Sequence, residues 1–233
     1  MNVLVTAGNT QTPLDRVRCI TNIFTGRTGG SIAAHAFDRG HRVTVLTSHP
    51  EVFRAISESR PRLSPDWQVH TYRTYDDLET LMASSISAGR FDAVIHAAAV
   101  SDYRLAGMFA PTPDTPLDVA GKVKSTYPEL WLKLVPTAKL VDKIRPVWGF
   151  QGVLVKFKLE VGLTEAELLA VAERSRVQSD ADLMAANTLE GMHEWALVGN
   201  GATGYERIAR PNLARILLDR VEALINDPPR PIL

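Results

Sequence analysis

The strand-forming run Val3-Leu4-Val5-Thr6-Ala7-Gly8 leads not into a tight turn but into an excursion from residue 9 to residue 26, and only then into Thr25-Gly26-Arg27-Thr28-Gly29-Gly30. This order predicts a buried first strand, a long excursion carrying Ile20-Thr21-Asn22, and a glycine-rich lead-in to a helix whose free backbone N–H groups can hold an anion. The excursion is too long for a dinucleotide fingerprint, and the glycines do not read G-x-G-x-x-G. The second strand, Arg42-Val43-Thr44-Val45-Leu46-Thr47-Ser48, ends in Ser48 and His49, where a nicotinamide dinucleotide site usually carries a carboxylate for the ribose. Nucleotide or phosphate chemistry fits this start better than a dehydrogenase does.

Short β-branched runs alternate with helical patterns along the chain, which predicts a mostly parallel sheet covered on both faces: a three-layer, Rossmann-like α/β fold. The first helix is expected from Arg27 to Arg39, with Ile32, Ala33, Ala36 and Phe37 as its apolar stripe and Gly40 ending it. Further strands are expected at Gln68 to Tyr72, Ala93 to His96, Val153 to Phe157 and Asp182 to Ala186. Helices are expected near 75 to 88, near 164 to 178 and from Ile208 to Asn226. One connection breaks the alternation: a long polar, proline-rich stretch separates the strand ending at His96 from Gly121-Lys122-Val123-Lys124. Long connections in compact domains tend to be functional. The alternation of Leu130, Leu132 and Leu134 with Trp131 and Lys133 predicts an extended segment paired with the Lys122 region. Residues 103–135 therefore read as a flap or dimerisation arm, and the proline-rich residues 227–233 as a tail.

The 233 residues suffice for one sizeable α/β domain. With 26 basic and 26 acidic residues there is no global field to gather nucleic acid or an anionic membrane, so small-molecule partners are expected. Cys19 has no cysteine partner, and His35, His41, His49, His70, His96 and His193 lack a metal-ligand spacing, so no transition-metal site is expected. No signal peptide or spanning segment is evident, and the expected setting is cytoplasmic.

These signals together resemble phosphopantothenoylcysteine synthetases. The resemblance rests on Val5-Thr6-Ala7-Gly8, Asp15-Arg16-Val17-Arg18, Ile20-Thr21-Asn22, Thr25-Gly26-Arg27-Thr28-Gly29, Ala97-Ala98-Ala99-Val100-Ser101-Asp102-Tyr103, Lys122-Val123-Lys124, Phe157-Lys158-Leu159-Glu160 and Ala185-Ala186-Asn187, in the family's order. Such enzymes activate the carboxylate of 4′-phosphopantothenate with a nucleoside triphosphate, typically CTP in bacteria and ATP in eukaryotes, and cysteine's amine then displaces the nucleotide. The resemblance implies magnesium with CTP or ATP, no flavin, a homodimer and a stand-alone synthetase.

By the same resemblance Asn22 acts on the acyl-nucleotide intermediate, although an asparagine there can equally hold its loop by backbone hydrogen bonds. Lys122 matches the flap lysine that closes over the nucleotide; an exposed lysine without a role is the commoner case. Ala98, Ala99 and Asp102 match the nucleotide-contacting stretch. Asp102 either accepts from ribose or holds a metal-bound water, or it caps the next turn. Phe157 either meets the base or is core. Gly8, Gly26, Gly29, Gly30 and Asn187 are candidates for phosphate or substrate binding; for the glycines the alternative is close packing, and for Asn187 a turn. Asp15 and Arg18 read as a structural pair.

The chain departs from the family pattern at several points. Asn9 replaces a common glycine, the interval from Asp102 to Lys122 is long, Ser125 follows Lys124, and Arg174 and Arg176 flank Ser175 in a helix where bacterial members tend to carry lysines. Phe157-Lys158-Leu159-Glu160 is eukaryote-like. Two other functions remain at this point: a noncatalytic nucleotide-binding or regulatory member, and an NADP-dependent oxidoreductase using Ser48 and Arg54, which lacks a tyrosine and lysine at one-turn spacing.

Overall fold

Alternation along β1 (Asn2–Ala7) sets the architecture, because Val3, Val5 and Ala7 belong to one core cluster and Leu4 to another on the opposite face. The computed structural model describes residues 1–58, 65–110, 116–117 and 121–226. After β1 come the short β2 (Gln11–Pro13) and β3 (Cys19–Thr21), then α1 (Arg27–Asp38), β4 (Arg42–Thr47), α2 (Pro50–Glu58), β5 (Trp67–Thr71), α3 (Tyr75–Ala88) and β6 (Ala93–His96). The chain continues through β7 (Tyr103–Phe109), β8 (Trp131–Pro136), β9 (Val153–Glu160), α4 (Glu165–Gln178), β10 (Leu183–Thr188), β11 (Trp195–Asn200), β12 (Gly204–Ala209) and α5 (Leu213–Asn226).

Eight of these strands form one sheet in the order β12-β11-β10-β9-β6-β1-β4-β5. The run from β10 to β5 is parallel, and β11 pairs antiparallel with both β10 and β12. Helices α1, α2 and α5 cover one face through Ile32, Phe53 and Leu217. The other face packs α3 and the 3-10 turn Leu140–Lys143 against Leu4 and Leu154, and α4 against Met184 and Ala186. This is the expected three-layer, mostly parallel α/β fold. Strands β4 and β5 add outward on one side of β1, after which the chain returns to place β6 on the other side, followed by β9 and β10. The carboxyl ends of β1 and β6 therefore flank a topological switch point, the place where open α/β sheets bind ligands.

Several expectations are corrected. The stretch from Ile208 to Asn226 is not one helix: Gly204–Ala209 alternates as a strand paired with Trp195–Asn200, Ile208 is buried within it, and α5 starts at Leu213 after a proline-containing 3-10 turn. Pro211 has no N–H to continue a helix, so the apolar period of α5 starts after it. The excursion carries a small ribbon, β2 on β3, and α2 follows β4 where no helix was expected. The Leu132 strand pairs with Tyr103–Phe109 and not with the Lys122 segment, giving a two-stranded arm with a bulge between Leu105 and Gly107. Part of the Ala110 to Pro116 stretch and all of the tail at 227–233 lie outside the described residues.

Candidate active site

Gly8 ends β1 in the left-handed region at φ 90°, and Gly26 precedes α1 at φ 83°. The two are stacked: a Cβ on Gly26 would stand 3.0 Å from Gly8 Cα and closer still to Gly8 N. Gly29 lets α1 lie against β1, since its Cβ would fall 2.6 Å from that of Ala7. Among the four glycines, then, Gly8 and Gly26 are demanded by backbone conformation and Gly29 by close packing, while the amide of Gly30 is spent on Gly26 O at 2.9 Å. The open N–H groups of α1 are those of its first three residues, Arg27, Thr28 and Gly29. Arg210 reaches this end of the helix and donates to the Thr28 hydroxyl. Burial pushes the Arg210 guanidinium pKa down.

Asn22 crosses from the excursion to the loop after β6, and its Nδ2 donates to Ala99 O at 3.0 Å. The same carbonyl accepts Thr10 N at 3.2 Å, while Ala99 N donates to Gly8 O at 2.8 Å. The structure thus gathers Gly8, Gly26, Asn22 and Ala99 at the switch point. Asn9, the departure from glycine, explains how the loop is held. Its Nδ2 donates to Asn22 O at 2.6 Å, and its backbone N–H donates to Ser48 Oγ at 2.9 Å. Ser48, a candidate NADP contact, is thereby occupied as a strut. Asn9 was missed because an asparagine after a strand reads first as a turn former.

Lys122 is exposed, but the backbone on both sides of it is pinned. Asp15 is buried, accepts Val17 N and Arg18 N at 2.9 Å each, and pairs with Arg18 at 2.5 Å. Its Oδ2 also accepts Val123 N at 3.1 Å, Arg18 donates onward to Val123 O at 2.9 Å, and Arg16 N donates to Gly121 O at 3.3 Å. The structural pair is therefore also the dock of the Lys122 segment. The Arg18 guanidinium, with backbone donors, holds the Asp15 carboxyl well below the usual carboxylate range. A carboxyl lowered on folding contributes stability above its unfolded pKa, about 3.9, and that contribution is lost as pH falls toward the folded value. Asp15→Asn is expected to free this dock. Amide exchange at Val123 should rise at least about tenfold at neutral pH, while exchange in β1 stays protected.

A cavity of about 350 Å³ opens beside the switch point, lined by Ala98, Phe157, the apolar Val100, Leu140, Val141 and Val171, and the cations Lys139, Lys156, Lys158 and Arg174. Asp102 sits by its rim, exposed, and accepts from Lys139 Nζ at 2.8 Å. Phe157 lies within β9 rather than at its end, half-buried against the core and also lining the cavity. Arg176 is tied to Glu173 and Ala181 O at 2.6 Å each, which leaves Arg174 as the cavity-facing arginine of α4. His96 is held near pH 4, chiefly by burial and then by Lys156, so its ring is neutral at pH 7 beside the Thr6 hydroxyl at 2.9 Å. Asn187 is buried late in β10, two strands away from β6, with Nδ2 toward Thr188 O at 3.4 Å. Lys156 and Arg210 are the other site residues that sequence reasoning missed; a lone basic residue inside a strand or before a proline carries no motif.

Residues 1–200 match the DNA/pantothenate metabolism flavoprotein C-terminal domain family. The chain is 34% identical over 229 residues to the coenzyme A biosynthesis bifunctional protein CoaBC of Thermococcus kodakarensis, covering 96% of this chain and 51% of that protein. The Escherichia coli protein of the same name is 32% identical over 187 residues, 80% of this chain and 41% of that protein. The chain thus spans about half the length of the curated relatives it matches. Among solved structures, the DNA/pantothenate metabolism flavoprotein from Streptococcus pneumoniae superposes with a TM-score of 0.81 at 27% identity, covering 96% of this chain and 99% of that one. A Cab2 variant in complex with phosphopantothenate-cysteine shares the fold, with a TM-score of 0.75 at 17% identity over 96% of this chain and 86% of its own. With a family match across most of its length and a fold to go with it, the chain belongs to the DNA/pantothenate metabolism flavoprotein C-terminal domain family.

Proposed function

We propose that this chain joins 4′-phosphopantothenate to cysteine in a nucleotide-dependent ligation that passes through an acyl nucleotide. One observation carries the reading: Asn22, Ala99 and the glycine-shaped start of α1 meet at the switch point beside a cation-lined cavity. The name of the Thermococcus relative, a coenzyme A biosynthesis protein, supports it. In the first step a carboxylate oxygen of the acid attacks the α-phosphorus and pyrophosphate leaves; in the second, the amine attacks the acyl carbon, the nucleoside monophosphate leaves and the amine loses a proton.

The residues divide by chemistry. The open N–H groups of α1, with Arg210 beside them, suit the substrate phosphate. Asn187 belongs to the same substrate side in this reading. The Asn22 amide donates to the acyl oxygen, where charge develops as cysteine attacks. Ala98, Phe157 and the cavity take the nucleotide, Asp102 its ribose, and Lys122 its phosphates. Magnesium arrives as part of the triphosphate substrate; the described residues contain no cluster of three His, Cys, Asp or Glu to hold a resident ion. The arm of β7 and β8 leaves Tyr103, Trp131, Leu132 and Leu134 exposed, which suits pairing with a second copy.

The test is mass spectrometry of the purified protein with magnesium, 4′-phosphopantothenate and cysteine, run with CTP and with ATP. Product with CMP or AMP is expected. Bound nucleotide without turnover of either triphosphate, in folded protein, supports the noncatalytic alternative instead.

A further inference from the structure

Lys156 lies inside β9, in register with His96 on β6 and Met184 on β10, and is only 6% exposed. An ammonium so deep has three N–H donors to satisfy. Two are used at the carboxyl end of α4, where Nζ donates to Ser175 O at 2.9 Å and to the hydroxyl of Ser179, the residue after the helix, at 2.5 Å. Ser179 in turn donates to Asp142 Oδ1 at 2.6 Å, so the compensating carboxylate stands one hydrogen bond away. Among the described residues, two protein acceptors for three donors leave one N–H for the cavity that Lys156 lines.

The charged and titratable groups facing it are His96 from β6, Lys158 from β9, Lys139 and Asp142 from around the 3-10 turn, and Arg174 from α4. Among the described residues, no carboxylate lines the cavity. Burial, with Lys139 and Lys158 and against Asp142, brings Lys156 down to about 8. The cavity is graded in burial: Leu140, Val141 and Lys156 are buried, whereas Lys139 and Arg174 are exposed and Lys158 is half-buried. An aromatic ring suits the interior and phosphates the rim.

We propose that Lys156 reads the base of the bound nucleotide, its third N–H donating to a ring-nitrogen or carbonyl acceptor on the base. This rests on the ligase reading. A donor-only group at this point accepts a base edge that offers a lone pair and rejects one that offers an amino group.

The experiment compares wild type with K156M. Replacing a buried ion by an apolar side chain of similar length is often neutral for folding, and Ser179 keeps Asp142. In K156M the KM for the nucleotide is expected to rise at least about tenfold, as for a lost charged hydrogen bond, with the KM for 4′-phosphopantothenate unchanged. Inhibition by the matching nucleoside, cytidine or adenosine, should weaken equally, and inhibition by inorganic tripolyphosphate should not. In wild type, nucleoside inhibition should weaken as pH rises through about 8, and in K156R it should not. S179A, which keeps the lysine but loosens its seat, should weaken nucleoside inhibition by a smaller factor, about threefold. Equal weakening toward tripolyphosphate and nucleoside would overturn base reading, as would unchanged nucleoside inhibition in an active K156M. Wild-type protein that turns over neither CTP nor ATP would overturn the ligase reading and this inference together.

Discussion

Asn22→Asp is expected to lower amide formation by about 10²–10³-fold, the scale seen when one positioned donor to a developing oxyanion is removed, while formation of the acyl nucleotide falls far less. The amide Nδ2 that donates to Ala99 O disappears, and a carboxylate takes its place opposite that carbonyl and the acyl oxygen. The first step develops its charge at phosphorus, away from this group, so the intermediate should accumulate. The loop itself should persist, because Asn9 holds the backbone carbonyl of residue 22 and not its side chain. Single-turnover mass spectrometry separates the steps: a lingering acyl nucleotide is the expected result, and equal loss of both steps contradicts a role at the intermediate.

Gly26→Ala is expected to be the most destabilising single-methyl change at the site. A Cβ at φ 83° costs about 1–2 kcal/mol by itself. Here it also meets the backbone of Gly8, which cannot rotate away as a side chain can, adding about 1–3 kcal/mol of overpacking. A fall in Tm on the order of 10 °C follows for a chain of this size. Gly40→Ala is the control: φ is 81°, but among the described residues nothing lies within 4 Å of the added Cβ, so only the left-handed cost of about 1–2 kcal/mol remains. Equal Tm changes in the two variants would show that the stacking of Gly26 on Gly8 contributes nothing.

The parts of the fold that were legible in the sequence are those where period and punctuation agree. Val3 to Ala7, Val43 to Thr47 and Ala93 to His96 are nearly continuous apolar runs because both faces of a central parallel strand are covered. Thr74 and Thr164 each cap a helix with an acidic residue three positions on, and α3 and α4 start within a residue of expectation. The β11–β12 hairpin was illegible because Glu206 and Arg207 beside Ile208 and Ala209 match a helix period as well as a strand, and only Pro211 arbitrates. The arm's partner was wrong for a different reason. Alternation identifies a strand but not its neighbour, and pairing is decided by connections that exclude the pinned Lys122 segment. At the site, motif order pointed to Asn22, Ala98 and Ala99. Long-range hydrogen bonds supplied the rest: Asn9 under Asn22, Asp15 and Arg18 under Val123, and Ser175 and Ser179 around Lys156.

The acyl-nucleotide route is tested most directly with 4′-phosphopantothenate carrying 18O in its carboxylate. Because a carboxylate oxygen becomes the bridge to the α-phosphorus and departs with the nucleotide, one 18O per turnover should appear in CMP or AMP and one should remain in the amide product. Label in inorganic phosphate instead would mean that the acid is activated as an acyl phosphate. Unlabelled monophosphate alongside product would contradict activation through an acyl nucleotide.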